Sequence, residues 1–215
     1  AILTGDYLFA KSSLLLAELG PDAVRHQAMT FERLVVGQIM ETQGPQAGED
    51  RLTHYLSVVS EKTGSLFGLC ARYGGYLSGA GEEVVETLVR FSEELGVAFQ
   101  LADDVIDIES SSNQSGKTPG TDLREGVPTL VTLLVQNMAR SEDSRLLALL
   151  SGPITDERDV TYALEQLRTH DALDEAKRIT RNHAERARKL LAPLPLNGTT
   201  EGLLSLCDTL VSRSA

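Results

Sequence analysis

Phe99-Gln100-Leu101-Ala102-Asp103-Asp104-Val105-Ile106-Asp107 closes a long run of helix-forming sequence that begins near Glu82. Turned at about 100° per residue, Gly96, Gln100, Asp103, Asp104 and Asp107 fall within roughly 100° of one another, by the i, i+3, i+4, i+7 rule. Most of the remaining circumference is apolar: Val97, Ala98, Phe99, Leu101, Ala102, Val105, Ile106 and Ile108. A helix apolar over so much of its surface has to be buried. The stretch therefore predicts a central helix over Glu82–Glu109, carrying one narrow polar stripe in an all-α protein.

No Lys or Arg lies between Arg90 and Lys117, so the stripe's three carboxylates have no cation nearby in sequence. A buried carboxylate left unpaired is costly, and hard cations are one compensation. Oxygen ligands at this spacing suit Mg²⁺ bridging to phosphate oxygens, which makes Asp103, Asp104 and Asp107 candidate metal ligands. An acidic face turned to solvent would show the same residues; the narrowness of the stripe favours metal.

Outward from this helix the chain is punctuated by Gly, Pro and Ser: Gly20-Pro21, Gly44 to Gly48, Gly74 to Gly81, Ser110 to Gly120, Gly126 to Pro128, Gly152-Pro153 and Pro193 to Gly198. Between these breaks lie roughly eight or nine helices. Ala, Leu, Glu and Arg dominate, and strict alternation of β-branched residues is absent, which supports the helical class. Pro21-Asp22 and Pro153 to Asp156 are expected helix starts. Residues 1–215 are read as one helical domain.

Lys+Arg 20 against Asp+Glu 31 gives a net charge of −11, which disfavours nucleic acid and anionic lipid over most of the surface. A diphosphate remains compatible, because a local set of metal ions and a few Lys residues overrides the long-range field. Cys70 and Cys207 have no metal-ligand or disulfide spacing, and the reading is a soluble, cytoplasmic protein with no integral membrane segment. Ala1 to Ala10 lack a start methionine and read as the middle of an apolar element, so further residues are expected upstream.

Three other places carry polar groups where apolar ones are expected. Lys62-Thr63 interrupts the helical run from Val58 to Cys70, supplying a charge and a hydroxyl for a phosphate. A lysine snorkelling from a helix surface would look the same. Gln38 and Glu41 share one face of an apolar helix, where a satisfied core glutamine is the alternative. Gly116-Lys117 places a Gly-flanked lysine one loop beyond the acids, within reach of an anion held there or free in solvent.

Taken in order, these segments resemble the trans-isoprenyl (polyprenyl) diphosphate synthase family. Phe99 to Asp107 is similar to its second aspartate-rich motif, preceded by a Phe-Gln pair. Gly116-Lys117 through Gly120-Thr121-Asp122-Leu123-Arg124-Glu125-Gly126 and Pro128-Thr129-Leu130 resembles the segment that follows it. Lys62-Thr63, Gly37-Gln38 with Glu41, and Gly5-Asp6-Tyr7-Leu8 resemble further family signatures, and the match loosens after about Leu134. The resemblance implies an antiparallel helical bundle around a central cavity, usually homodimeric. It also implies that the chain is roughly the C-terminal two-thirds of a synthase.

The implied reaction condenses isopentenyl diphosphate with an allylic diphosphate to give a longer all-trans product, through Mg²⁺-assisted ionisation. Carried over by position, Asp103, Asp104 and Asp107 would serve the metals, directly or through water. Lys62 and Lys117 would bind the diphosphate. Thr63 and Gln100, with Phe99 beside them, would lie next to the isoprenoid carbons, and Gln38 and Glu41 would line the cavity. The first aspartate-rich motif has no counterpart in the chain, and Val127 stands where many relatives carry a second loop lysine. A non-catalytic subunit of a heteromeric synthase is the alternative from another class, and a helical terpene cyclase is the runner-up enzyme.

Overall fold

Glu82–Glu109 forms one uninterrupted 28-residue helix, here α5, and the rest of the molecule is arranged around it. The computed structural model describes residues 2–109 and 119–213. Along the chain α5 is preceded by α1 (Ile2–Ala17), α2 (Pro21–Gln43), α3 (Arg51–Val59) and α4 (Ser65–Leu77). It is followed by α6 (Thr121–Glu125), α7 (Leu130–Met138), α8 (Ser144–Leu149), α9 (Glu157–Thr169), α10 (Asp171–Leu190) and α11 (Gly198–Arg213). No strand occurs among the described residues, and the class is all-α, an antiparallel helical bundle.

The expected helix boundaries mostly hold for local reasons. Pro21 opens α2, where its missing N–H costs nothing. Asp156 caps α9 by accepting from the Arg158 amide at 2.8 Å. Helices exceed the expected number because α6 and α8 have only 5 and 6 residues, too few to show a helical period. The break placed at Gly74 to Gly81 begins late, since α4 continues to Leu77. Gly75 is kept inside α4 by packing: a Cβ there would stand 3.1 Å from Val85 Cγ2.

Two apolar clusters share α5. Leu101, Val105 and Ile108, toward its C-terminal end, pack with Leu130, Val131 and Val135 of α7 and with Val160 and Leu167 of α9. Phe91, Leu95 and Ala98 pack with Ala184, Ala187 and Leu191 at α10 and its end, and with Cys207 and Leu210 of α11. Each large side chain buried in this way contributes about 1.5–3 kcal/mol. No helix among the described residues is long and apolar enough to cross a membrane.

Candidate functional site

Between α3 and α4 the helix widens for one turn. Ser60–Gly64 adopts π geometry, and the Ser65 amide reaches back five residues to the Ser60 carbonyl. Single π turns are uncommon and cluster at functional sites. Lys62 and Thr63, singled out as interruptions in an apolar run, sit in this turn.

Glycines seat it. A Cβ at Gly37 of α2 would lie 2.9 Å from both Glu61 Cβ and Lys62 Cγ, and one at Gly96 of α5 would lie 3.0 Å from Gly64 Cα and Phe67 Cγ. Side chains at these positions would push the turn outward, so close backbone approach requires glycine. Arg33 of α2 fastens the same place, donating to Glu61 through Nε at 2.9 Å and Nη2 at 3.2 Å and to Glu93 of α5 through Nη1.

From this turn a line of hydrogen bonds crosses to α5. Thr63 Oγ1 donates to Gln100 Oε1 at 3.2 Å, and Gln100 Nε2 donates to Asp104 Oδ1 at 3.2 Å. The other oxygen of Asp104 accepts from the Tyr55 phenol of α3 and, at 2.9 Å, from the Leu130 amide at the start of α7. Asp104 is 4% exposed. Burial pushes its carboxyl up to about 6, although these hydrogen bonds work in the opposite direction, and the charge of Asp122 adds to the rise. Burial, followed by the negative charge of Asp104, holds the Tyr55 phenol well above its ordinary range.

Tyr55, Thr63, Gln100 and Asp104 line a cavity of about 170 Å³. Arg51, His54 and Lys62 bring potential positive charge to it, Glu41, Asp104 and Asp122 bring negative charge, and Val58, Val59 and Leu133 give an apolar wall. Lys62 Nζ rests 2.6 Å from Glu41 Oε2, which also accepts from Gln38 Nε2 at 2.8 Å. His54 is held between Glu49 Oε2 and the Met40 carbonyl, each at 3.1 Å. Val127 lies in the lining and adds a small apolar patch.

The structure thus brings Lys62, Thr63, Glu41, Gln100 and Asp104 together, with Gln38 attached through Glu41. Phe99 is drawn elsewhere. Its ring tilts against Phe67 at 5.5 Å and it packs on the second core cluster, because successive helical residues point about 100° apart and Phe99 and Gln100 do not share one direction. The expected acidic trio divides for the same reason. Asp103 and Asp107 are half-buried one turn apart, whereas both oxygens of Asp104 are engaged by protein donors, so direct metal ligation by Asp104 does not fit.

Among the described residues no group of three or more His, Cys, Asp or Glu side chains is placed to hold an ion alone. Two carboxylates on one helix edge nevertheless fit Mg²⁺, which takes one or two and completes its shell with water and substrate phosphate. Gly116 and Lys117 lie outside the described residues. Sequence reasoning missed Tyr55, Arg51 and His54. The spacing Tyr55, Val58, Val59, Lys62 is an i, i+3, i+4, i+7 face, and this signal would have joined Tyr55 to the lysine.

The Polyprenyl synthetase family model matches residues 1–167. Over 213 residues the chain is 49% identical to nonaprenyl diphosphate synthase of Mycobacterium tuberculosis, covering 99% of this chain and 64% of that protein. It is 39% identical to a dimethylallyltranstransferase of the same organism, with 99% and 64% covered. Among solved structures it resembles geranylgeranyl pyrophosphate synthase from Corynebacterium glutamicum complexed with calcium and isoprenyl diphosphate. There the TM-score is 0.88 at 37% identity, with 100% of this chain and 67% of the other covered. The chain spans 64% of the length of these two curated relatives.

Proposed function

Since the chain belongs to the polyprenyl synthetase family, we propose that the complete natural protein is a trans-prenyltransferase, condensing isopentenyl diphosphate with an allylic diphosphate into a longer all-trans prenyl diphosphate. The observation that carries this reading is the convergence of Lys62, Thr63, Gln100 and Glu41, from three separate segments, on one cavity that Asp104 of α5 also lines. A non-catalytic subunit is not favoured, because the acids of α5 are present and these relatives are named as a nonaprenyl diphosphate synthase and a dimethylallyltranstransferase.

Asp103 and Asp107 would hold Mg²⁺, which when bound supplies the charge neutralisation that lets the diphosphate leave. Lys62 would donate to diphosphate oxygens, its ammonium having three donors and needing only one for Glu41. Lys117, which lies outside the described residues, would add a second cation. The C–O bond breaks with its electron pair leaving on diphosphate. The isopentenyl double bond supplies the pair for the new C–C bond, and loss of a proton restores the alkene. Thr63 and Gln100 would lie beside the isoprenoid carbons, their polar atoms committed to one another so that water is not presented to the cation.

Cytoplasmic location, a single helical domain and a homodimer complete the reading, in keeping with the acidic charge, the two unpaired cysteines and the family resemblance. Incorporation of labelled isopentenyl diphosphate by the purified complete protein tests it. Mg²⁺-dependent formation of a longer prenyl diphosphate is expected, and no product with any allylic primer would overturn the reading.

A further inference from the structure

Asp104 occupies the middle of the motif whose neighbours are proposed to hold metal, yet both of its oxygens are engaged by protein donors. Its Oδ2 accepts from Tyr55 Oη and from the Leu130 amide at 2.9 Å, and its Oδ1 accepts from Gln100 Nε2 at 3.2 Å. The Leu130 amide is one of the first N–H groups of α7, which no helical carbonyl can satisfy, and a carboxylate there also suits the helix dipole. Three pieces of chain therefore meet at one side chain, α3 through Tyr55, α5 through Gln100 and the start of α7, and the π turn joins them one step away, through Thr63 on Gln100.

Building on the prenyl-transfer reading of this cavity, we infer that Asp104 and Tyr55 are positioning residues. Together they fix the amide of Gln100 and the hydroxyl of Thr63 against the reacting carbons, and they do not ligate metal. The polarity of the line is set by the carboxylate. Because Asp104 can only accept, Gln100 must turn its NH₂ toward it and its carbonyl toward Thr63, which must then donate. An asparagine at 104 would place a donor against one of these donors and force Gln100 to invert, so that Thr63 accepts from an NH₂ group instead of donating to a carbonyl. The Tyr55 phenol holds the oxygen that also caps α7, so its loss would loosen the carboxylate while leaving its charge in place.

The test compares Tyr55→Phe, Asp104→Asn, the Tyr55→Phe/Asp104→Asn double variant and Asp103→Asn with the wild type, all in the complete natural protein. Three quantities are read: Mn²⁺ bound in the presence of inorganic diphosphate, counted by electron paramagnetic resonance; kcat and KM; and the melting temperature. Asp104→Asn and Tyr55→Phe should bind Mn²⁺ like the wild type and keep KM for the allylic diphosphate. Their kcat should fall, by roughly tenfold for Tyr55→Phe and more for Asp104→Asn. The double variant should turn over no more slowly than Asp104→Asn, because a phenol without its carboxylate has nothing left to position.

Asp103→Asn should lose Mn²⁺ affinity. Loss of Mn²⁺ by Asp104→Asn to the same degree, unchanged kcat in Tyr55→Phe, or additive effects in the double variant would each overturn the inference. If Asp104→Asn does not fold, Tyr55→Phe, which removes one oxygen, decides alone. A wild type without Mg²⁺-dependent product would refute the prenyl-transfer reading instead. The pairing would then be judged from melting, where non-additive losses support it and additive losses overturn it.

Discussion

α5 and α1 are both long helices rich in apolar residues, and the chain treats them oppositely. In α5, Phe91, Leu101 and Ile108 are at most 1% exposed, and cores form against its middle and its C-terminal part. In α1 no residue is buried, and Ile2, Leu3 and Leu15 are 81%, 83% and 64% exposed. Its neighbour α2 shows the same character on one side, with Met29, Val36 and Ile39 exposed. An apolar face has meaning only with its partner. α5 finds apolar partners within the chain along most of its length, whereas the outer faces of α1 and α2 find none among the described residues.

The contrast is sharpest if a core residue of α5 is removed. Phe91→Ala should destabilise the fold by about 3–5 kcal/mol in urea denaturation, since the ring is enclosed and a cavity would remain. A loss below about 1 kcal/mol would mean that α5 is not the centre of the packing.

Overfilling the crossing is the next largest perturbation. Gly96→Val places its first carbon 3.0 Å from Gly64 Cα and from Phe67 Cγ, so the π turn must move. We expect a loss of about 1–3 kcal/mol by the same measurement, accompanied by weaker diphosphate binding in calorimetry because Lys62 and Thr63 ride on that turn.

A smaller effect is expected from Glu94, on the part of α5 that faces α10. Burial alone would raise its carboxyl, but hydrogen bonds with His183 and Arg186 outweigh burial and hold it below the ordinary glutamate range. A depressed carboxyl contributes stability that is present above its unfolded value and lost as pH falls through the folded one. The melting-temperature gap between wild type and Glu94→Gln should therefore be widest near neutral pH and close as pH falls from about 6 to about 3. A gap that widens on acidification would reverse the sign.

Smallest of all should be Leu15→Ser on α1, within about 0.5 kcal/mol of wild type for this chain, because that side chain is already in water. Light scattering should fall at the same time. A large destabilisation would show that α1 is covered after all.

The sequence allowed α5 to be read almost to the residue, because a 28-residue helix repeats its period often enough to be unambiguous. Lys62-Thr63 and Gln38 with Glu41 were visible as polar interruptions of apolar helices. The π turn was not visible, since it depends on Gly37, Gly64 and Gly96 meeting across three segments that are distant in sequence. Nor was the division among the three aspartates. Asp104 is turned by about 100° from Asp103, but which of the two directions faces interior is decided only when Tyr55 and the start of α7 are in place around Asp104. Phe99 turns to Phe67 and the second cluster while Gln100 lines the cavity, because adjacent helical residues face different ways.

The central claim is that α5 presents metal-holding carboxylates to a diphosphate, and Asp103→Ala in the complete natural protein tests it most directly. Steady-state incorporation of labelled isopentenyl diphosphate should fall by roughly a hundredfold or more while the melting temperature is retained, as expected when a stabiliser of the departing charge is removed. Turnover near that of the wild type at the same Mg²⁺ concentration would contradict the claim.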